Sequence, residues 1–128
     1  MINFVVDDSE ITSLTDHWLE GLENLPMEQI GEMLVDSVHR NFDEEGRPTS
    51  WEPRQDDNPW PILNKTGHLY NSIHVTEVGT DFVNVDSDAF YGDWQDQGTS
   101  RIPARPFLVI QSEDEEAAQE IIWHHLGL

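Results

Sequence analysis

Between Gly46 and Pro61 the chain carries Pro48, Pro53, Pro59 and Pro61 along with Asp56, Asp57 and Asn58, and no helix or strand can run through such a stretch. Each proline fixes its own φ and removes a backbone donor, and the residue before it is pushed out of the helical region. Residues 46–61 are therefore expected to form a long irregular loop, of a length that usually carries function or is mobile. Trp51 and Trp60 lie inside it. Two readings of these rings stay open: they pin the loop to its own domain, or they meet a neighbouring subunit.

The loop separates a helical first part from a second part that mixes strands and helix. Ile2, Phe4, Val5 and Val6 read as a short strand before the Asp7-Asp8-Ser9 break. A first helix is expected from Ser13, with Ile11, Leu14, Trp18, Leu22 and Leu25 near a 3.6-residue period, Ser13 and Asp16 as a start signal, and Gly21 as its weak point. Pro26 suits the first turn of a second helix, which places Met27, Ile30, Leu34 and Val38 on one face with Phe42 near it. Gly46 and Pro48 stop it. After the loop, Ile73–Val78 and Phe82–Asp86 read as strands joined by the turn Gly79-Thr80-Asp81. Residues 89–100 are turn-rich, and Phe107-Leu108-Val109-Ile110 reads as a third apolar strand. Ser112, with Glu115 three residues later, is expected to cap a last helix whose acidic first turn suits the helix dipole. Ala118, Ile121, Ile122 and Leu126 supply its buried face. The expected fold is α+β, one domain over residues 1–128: a small, mainly antiparallel sheet packed by N-terminal helices and a C-terminal helix.

Charge limits what the chain can bind. Asp and Glu number 26 against 6 Lys and Arg, a formal net charge of −20, and Lys65 is the only lysine. Phosphate binding depends on lysine and arginine, so a general nucleic-acid binder is not expected. The even spread of acids and the scarcity of lysine favour a halophilic setting, where salt screens self-repulsion and carboxylates keep the surface hydrated. A surface that repels DNA, or ordinary acidity, are the competing readings. There is no Cys, so neither a disulfide nor a thiolate metal site can support the fold. No apolar run approaches the ~18 residues of a membrane span. Residues 1–8 lack the basic region and apolar core of a signal peptide, so no membrane partner is expected.

Catalytic and metal patterns do not emerge. His124 and His125 are adjacent, so on a helix they point about 100° apart and poorly share one metal. His17 and His39 stand alone on expected helices, and His68 and His74 straddle an expected helix-to-strand change. No H-x-x-x-H, H-E-x-x-H, G-x-S-x-G or phosphate-binding glycine loop occurs. Asp86-Ser87-Asp88 is half of a calcium loop without the rest. The acidic clusters at 43–45 and 113–116 read as solvated helix ends. No catalytic residue, cofactor or metal is therefore assigned.

Three segments carry a more specific pattern. The first is Ile62-Leu63-Asn64-Lys65-Thr66-Gly67-His68-Leu69-Tyr70-Asn71-Ser72-Ile73. In it Thr66 can cap a short helical turn and Gly67 admits positive φ. Leu69 and Ile73, four apart, face the core together, and Ser72 satisfies a local backbone group. The second runs from Tyr91 to Gly98. The third is Ile102-Pro103-Ala104-Arg105-Pro106-Phe107-Leu108, in which Pro103 and Pro106 stiffen the chain around Arg105. Such a segment loses little entropy on docking. Arg105, a rare cation here, is expected to pair with a carboxylate, within one subunit or across two.

In this order and spacing the three segments resemble the phage virion-morphogenesis, or tail-completion, family typified by the G protein of phage Mu. The stretch from Phe42 to Trp51 is similar to the family's helix end and following Trp. The resemblance spans about residues 30–125. It departs from the family's pattern where Gln95-Asp96-Gln97-Gly98 stands for His-Gln-x-Gly, and where His68 and Asn71 replace basic residues. Both changes remove cations, which fits a virus of a halophilic archaeon.

The resemblance implies a non-enzymatic virion protein of the head–tail junction, assembled in the host cytoplasm into a closed homo-oligomeric ring, commonly a hexamer, with head-to-tail interfaces. Its partners would be further copies of itself and other neck, tail-tube or portal-adaptor proteins, with DNA passing through the lumen as cargo. Together with the loop residue Trp60, the residues assigned as interface or structural motif are Trp51, Thr66, Gly67, Leu69, Ser72, Ile73, Tyr91, Gly98, Ile102, Pro103, Arg105, Pro106 and Phe107. Two alternatives stand beside it: a head-completion protein on the portal side, and a monomeric acidic interaction protein of the DNA-mimic type.

Overall fold

A computed structural model describes residues 1–6 and 24–127. The helix expected from Ser13, with Ile11, Leu14, Trp18, Leu22 and His17, falls outside the described residues.

The long amphipathic helix forms as its periodicity predicts. Helix α1 (Met27–Asp43) buries Met27, Ile30, Leu34, Val38 and Phe42 along one face, with Ser37 and Asn41 beside them. Pro26 is its N-cap rather than its first helical residue. That face packs across two strands, β2 (Ile73–Val78) and β3 (Phe82–Ser87). With β1 (Ile2–Val5) they form an antiparallel sheet in the order β1-β3-β2. Val83 pairs with Phe4, and Val85 with Ile2. Both valines are fully buried, because the central strand offers this face to α1. Between Val75 and Glu77 the β2 register slips, a bulge that bends an edge strand. Gly79 closes the hairpin by donating its N–H to the Phe82 carbonyl at 2.8 Å.

The last helix, α4 (Ser112–His125), packs on α1 and buries Ala118 and Ile122, with Leu126 just beyond its end. Its cap sits one residue earlier than the sequence suggests. Gln111 is the N-cap, and Asp114, not Glu115, completes the capping box. Asp114 is only 2% exposed: Ser37 Oγ and the Gln111 N–H both donate to its Oδ2, at 2.5 and 2.8 Å. A buried carboxylate with matched donors fixes the register that an exposed Glu115 would leave loose. Two short helices complete the set: α2 (His68–Asn71) and α3 (Gly92–Gln97), the second inside the stretch expected to be turns.

The expected third strand at Phe107–Ile110 does not form. Its backbone groups are taken by side chains instead. Asp96 Oδ1 accepts the N–H groups of Phe107 and Leu108 at 2.9 and 3.0 Å. Asn41 Nδ2 donates to the carbonyls of Phe107 and Val109. With these four groups satisfied by side chains, the segment has less demand for a ladder. It stays apolar because Phe107 fills the core, fully buried.

Candidate functional site

No helix or strand lies between Asp43 and His68, so the proline-rich chain must be held by side chains. Trp51 supplies the first anchor. It is 6% exposed, its Nε1 donates to the Pro106 carbonyl at 2.9 Å, and its ring meets the edge of Phe42 at 5.7 Å. Phe42 also touches Tyr70 and Phe107 at 5.5 and 5.3 Å. One aromatic cluster thus ties α1, the loop, α2 and the 105–107 segment together. Of the two readings of Trp51, this geometry is the first: it holds the loop to its own domain.

Arg105 supplies the second anchor, by a route other than the one expected. Its guanidinium donates to the carbonyl oxygens of Glu52, at 3.1 and 3.0 Å, and of Pro53, at 3.3 Å. No carboxylate pairs with it among the described residues. Its backbone N–H donates to the Gln95 carbonyl at 2.9 Å, so the prolines on either side leave it bridging α3 and the loop. A planar fork with several donors suits two adjacent carbonyls as well as a carboxylate.

Between these anchors opens a cleft of about 410 Å³. Trp60, Thr66, Gly67, Leu69, Tyr91, Pro103 and Arg105 line it, seven of the motif positions drawn from all the segments. Thr66 and Gly67 shape one wall, and Gly67 rather than the expected Thr66 is the N-cap of α2. Gly67 has φ +78°, and Thr66 Oγ1 accepts the His68 N–H at 3.3 Å. Leu69 and Ile73 both face the core, and Ser72 Oγ donates to the Leu69 carbonyl at 2.6 Å. Trp51, Ser72, Ile73, Gly98, Ile102, Pro106 and Phe107 stand outside the lining; the first four and Phe107 act as scaffold. Ile102 shapes the return of the chain, its carbonyl accepting the Thr99 N–H at 2.8 Å.

Gly98 holds that return in place. Its φ and ψ of 78° and 169° belong to glycine, and a Cβ there would lie 2.7 Å from the Ala104 nitrogen and 3.0 Å from the Ile102 oxygen. Gly98→Ala is expected to cost at least ~1–3 kcal/mol and to displace the Pro103 wall. Urea unfolding measures the first, and hydrogen exchange over residues 99–106 the second. Wild-type values for both would refute the role.

The electrostatics of the cleft are opposite to those of the chain. Arg54, Lys65, Arg101 and Arg105 line it, four of the 6 lysines and arginines in the protein. Asp56 is the one carboxylate in the lining among the described residues. The Asn58 N–H and the Arg54 guanidinium, 2.9 Å away, hold the Asp56 carboxyl below its ordinary range. Trp60 is flanked by cations: the Arg54 guanidinium lies 5.2 Å from its ring centre and the Lys65 ammonium 4.6 Å, close enough for cation–π attraction. The sequence gives no hint of this convergence beyond the scarcity of cations, since the loop and the 101–105 segment are far apart in the chain. Beside the cleft, Phe90 and Trp94 pack edge to face at 5.9 Å yet are 81% and 51% exposed.

The arrangement suits recognition of negatively charged groups. Among the described residues every buried side-chain nitrogen and oxygen has a hydrogen-bond partner, and no group of three or more His, Asp or Glu is placed to hold a metal ion. His39 stacks on Tyr70 at 4.0 Å, with its Nε2 2.9 Å from the Tyr70 carbonyl oxygen, a structural position. His124 and His125 are exposed at the end of α4.

Residues 8–127 match the model of the phage virion morphogenesis family. No curated protein and no solved structure matches the chain.

Proposed function

The chain belongs to the phage virion morphogenesis family, and from this premise we propose that it is a structural, non-enzymatic subunit of the head–tail junction that closes into a ring. As a family member it is a virion assembly protein. The observation that supports a junction subunit is the cleft: segments that carry the family resemblance fold together into one recessed surface, charged oppositely to the rest of the molecule. A docking surface is what an assembly protein needs, and a rigid one costs little entropy to engage.

The ring is taken to have head-to-tail interfaces, with six as the expected copy number. It joins or terminates the tail beside neck, tail-tube or portal-adaptor proteins, and DNA passes through its lumen. Carboxylates facing that lumen would keep DNA from adhering. The host is taken to be a halophilic archaeon, whose salt would screen the repulsion among subunits of charge −20. No helix among the described residues is long and apolar enough to cross a membrane.

Native mass spectrometry of protein prepared in multimolar salt is expected to show a closed ring. A monomer at every concentration and salt would overturn the reading and favour a monomeric acidic interaction protein. Density for the subunit in an intact virion would separate the tail side from the portal side. A position away from the junction would refute both.

A further inference from the structure

The cations of this chain divide into two groups. Arg40 lies 3.7 Å from Asp114, and Arg47 reaches Glu113 at 2.7 Å and Glu44 at 3.4 Å. Both are committed within the subunit, between α1 and α4. The other four all line the cleft. Arg54 and Arg105 shape its walls, while Lys65 and Arg101 are exposed and pair with no carboxylate among the described residues. A subunit of charge −20 that contacts another such subunit must set cations against carboxylates somewhere, or like charges face each other at the interface. The cleft is where this chain has cations to offer.

We propose that the cleft receives the acidic outer face of α4 from a second copy of this chain. On α4, Glu116, Glu120 and Trp123 follow one another at helical spacing and form one exposed stripe, and Trp123 is 46% exposed. The carboxylates of this stripe meet Lys65 and Arg101, and Trp123 meets the aromatic side of the cleft around Tyr91, Phe90 and Trp94. The two surfaces differ, so the contact is heterologous and propagates around a ring instead of closing a two-fold dimer. Ion pairs alone would be weak in strong salt, where screening acts over ~3 Å at 1 M. The aromatic area on both sides answers this, because apolar burial is not screened. With the cations placed between subunits, the remaining surface, including any lumen, is left to carboxylates.

This contact rests on the ring reading, and the test separates the two. The variants are Lys65→Glu with Arg101→Glu, and Glu116→Lys with Glu120→Lys. All four positions are exposed, and circular dichroism checks that each variant folds. Each double variant alone is expected to assemble at least about tenfold more weakly than wild type by sedimentation velocity. An equimolar mixture is expected to regain the wild-type assembly, because reversed clefts then meet reversed helices. Wild-type assembly of either double variant, or failure of the mixture to recover, overturns the contact while leaving the ring. A monomeric wild type overturns the ring and the contact together. Loss of binding to a duplex DNA probe in the cleft variant, with its assembly intact, assigns the cleft to phosphate and overturns the proposal.

Discussion

Phe42→Ala is expected to lower the stability of the fold by about 3–5 kcal/mol, the range for removing a fully packed ring from a core. Phe42 is 2% exposed and touches the rings of Trp51, Tyr70 and Phe107. Through this one ring α1 contacts three otherwise separate stretches of chain. The cavity left by alanine cannot collapse easily, because Trp51 is tied to the Pro106 carbonyl and the Phe107 backbone to Asn41 and Asp96. The damage should concentrate in the loop and the cleft. Urea unfolding gives the stability loss, and hydrogen exchange should show residues 46–61 and 99–108 losing more protection than β1 and β3. Phe42→Leu, which keeps most of the volume, should cost less than half as much. A loss for Phe42→Ala below about 1.5 kcal/mol, well under the range for such rings, would mean that the loop is held by something else.

The pattern that makes Phe42 legible in the sequence is the helical period of α1, and such periods survive folding because one face must be buried. The hairpin was legible for the same reason at period two, with Val83 and Val85 facing inward. Phe107–Ile110 shows where pattern reading stops. A short apolar run describes a strand, or any buried segment, equally well. What decides is whether neighbouring side chains satisfy its backbone, and Asn41 and Asp96 are distant in sequence. The cap of α4 is a similar case. Ser112 with Glu115 and Gln111 with Asp114 have the same spacing, and what separates them is tertiary contact, from Ser37 to Asp114 and from Gln111 to the Arg47 carbonyl.

For the site, seven of the residues singled out in the sequence line one cleft, a convergence that their spacing in the chain does not reveal. Thr66, Gly67, Leu69 and Ser72 could be read locally, since their roles involve near neighbours. Arg105 could not: its partners are carbonyls of the loop, and any backbone carbonyl is invisible to residue type. The gathering of Arg54, Lys65, Arg101 and Arg105 is a product of the tertiary fold. Only their rarity in a chain of charge −20 signalled that each has a use.

Arg47→Ala should be comparably severe, at about 3 kcal/mol, although Arg47 lies in the loop and touches no part of the cleft. Its side chain is 10% exposed. Its Nε donates to Asn41 Oδ1 at 2.9 Å, and its Nη2 to the Ser37 carbonyl and hydroxyl at 2.8 and 2.7 Å. Its own carbonyl accepts from Gln111 Nε2 at 3.0 Å. Removing the guanidinium leaves the buried Asn41 Oδ1 without its donor, at a cost of ~1–3 kcal/mol unless water enters, and takes a second partner from the Ser37 hydroxyl and carbonyl. It also loosens Asn41, which holds the 107–109 segment in place of a strand. The ion pair with Glu113 is a minor part, since that carboxylate is 62% exposed and such pairs contribute ~0–1 kcal/mol. Three variants therefore rank in order under urea unfolding. Arg47→Ala loses most; Arg47→Lys loses at least half as much, because one ammonium cannot span the Ser37 and Asn41 acceptors together; Glu113→Gln loses under about 1 kcal/mol. If Glu113→Gln matched Arg47→Ala, the charge pair would be the source of stability. The hydrogen-bonded fork joining α1, the loop and α4 would then not be what replaces the missing strand.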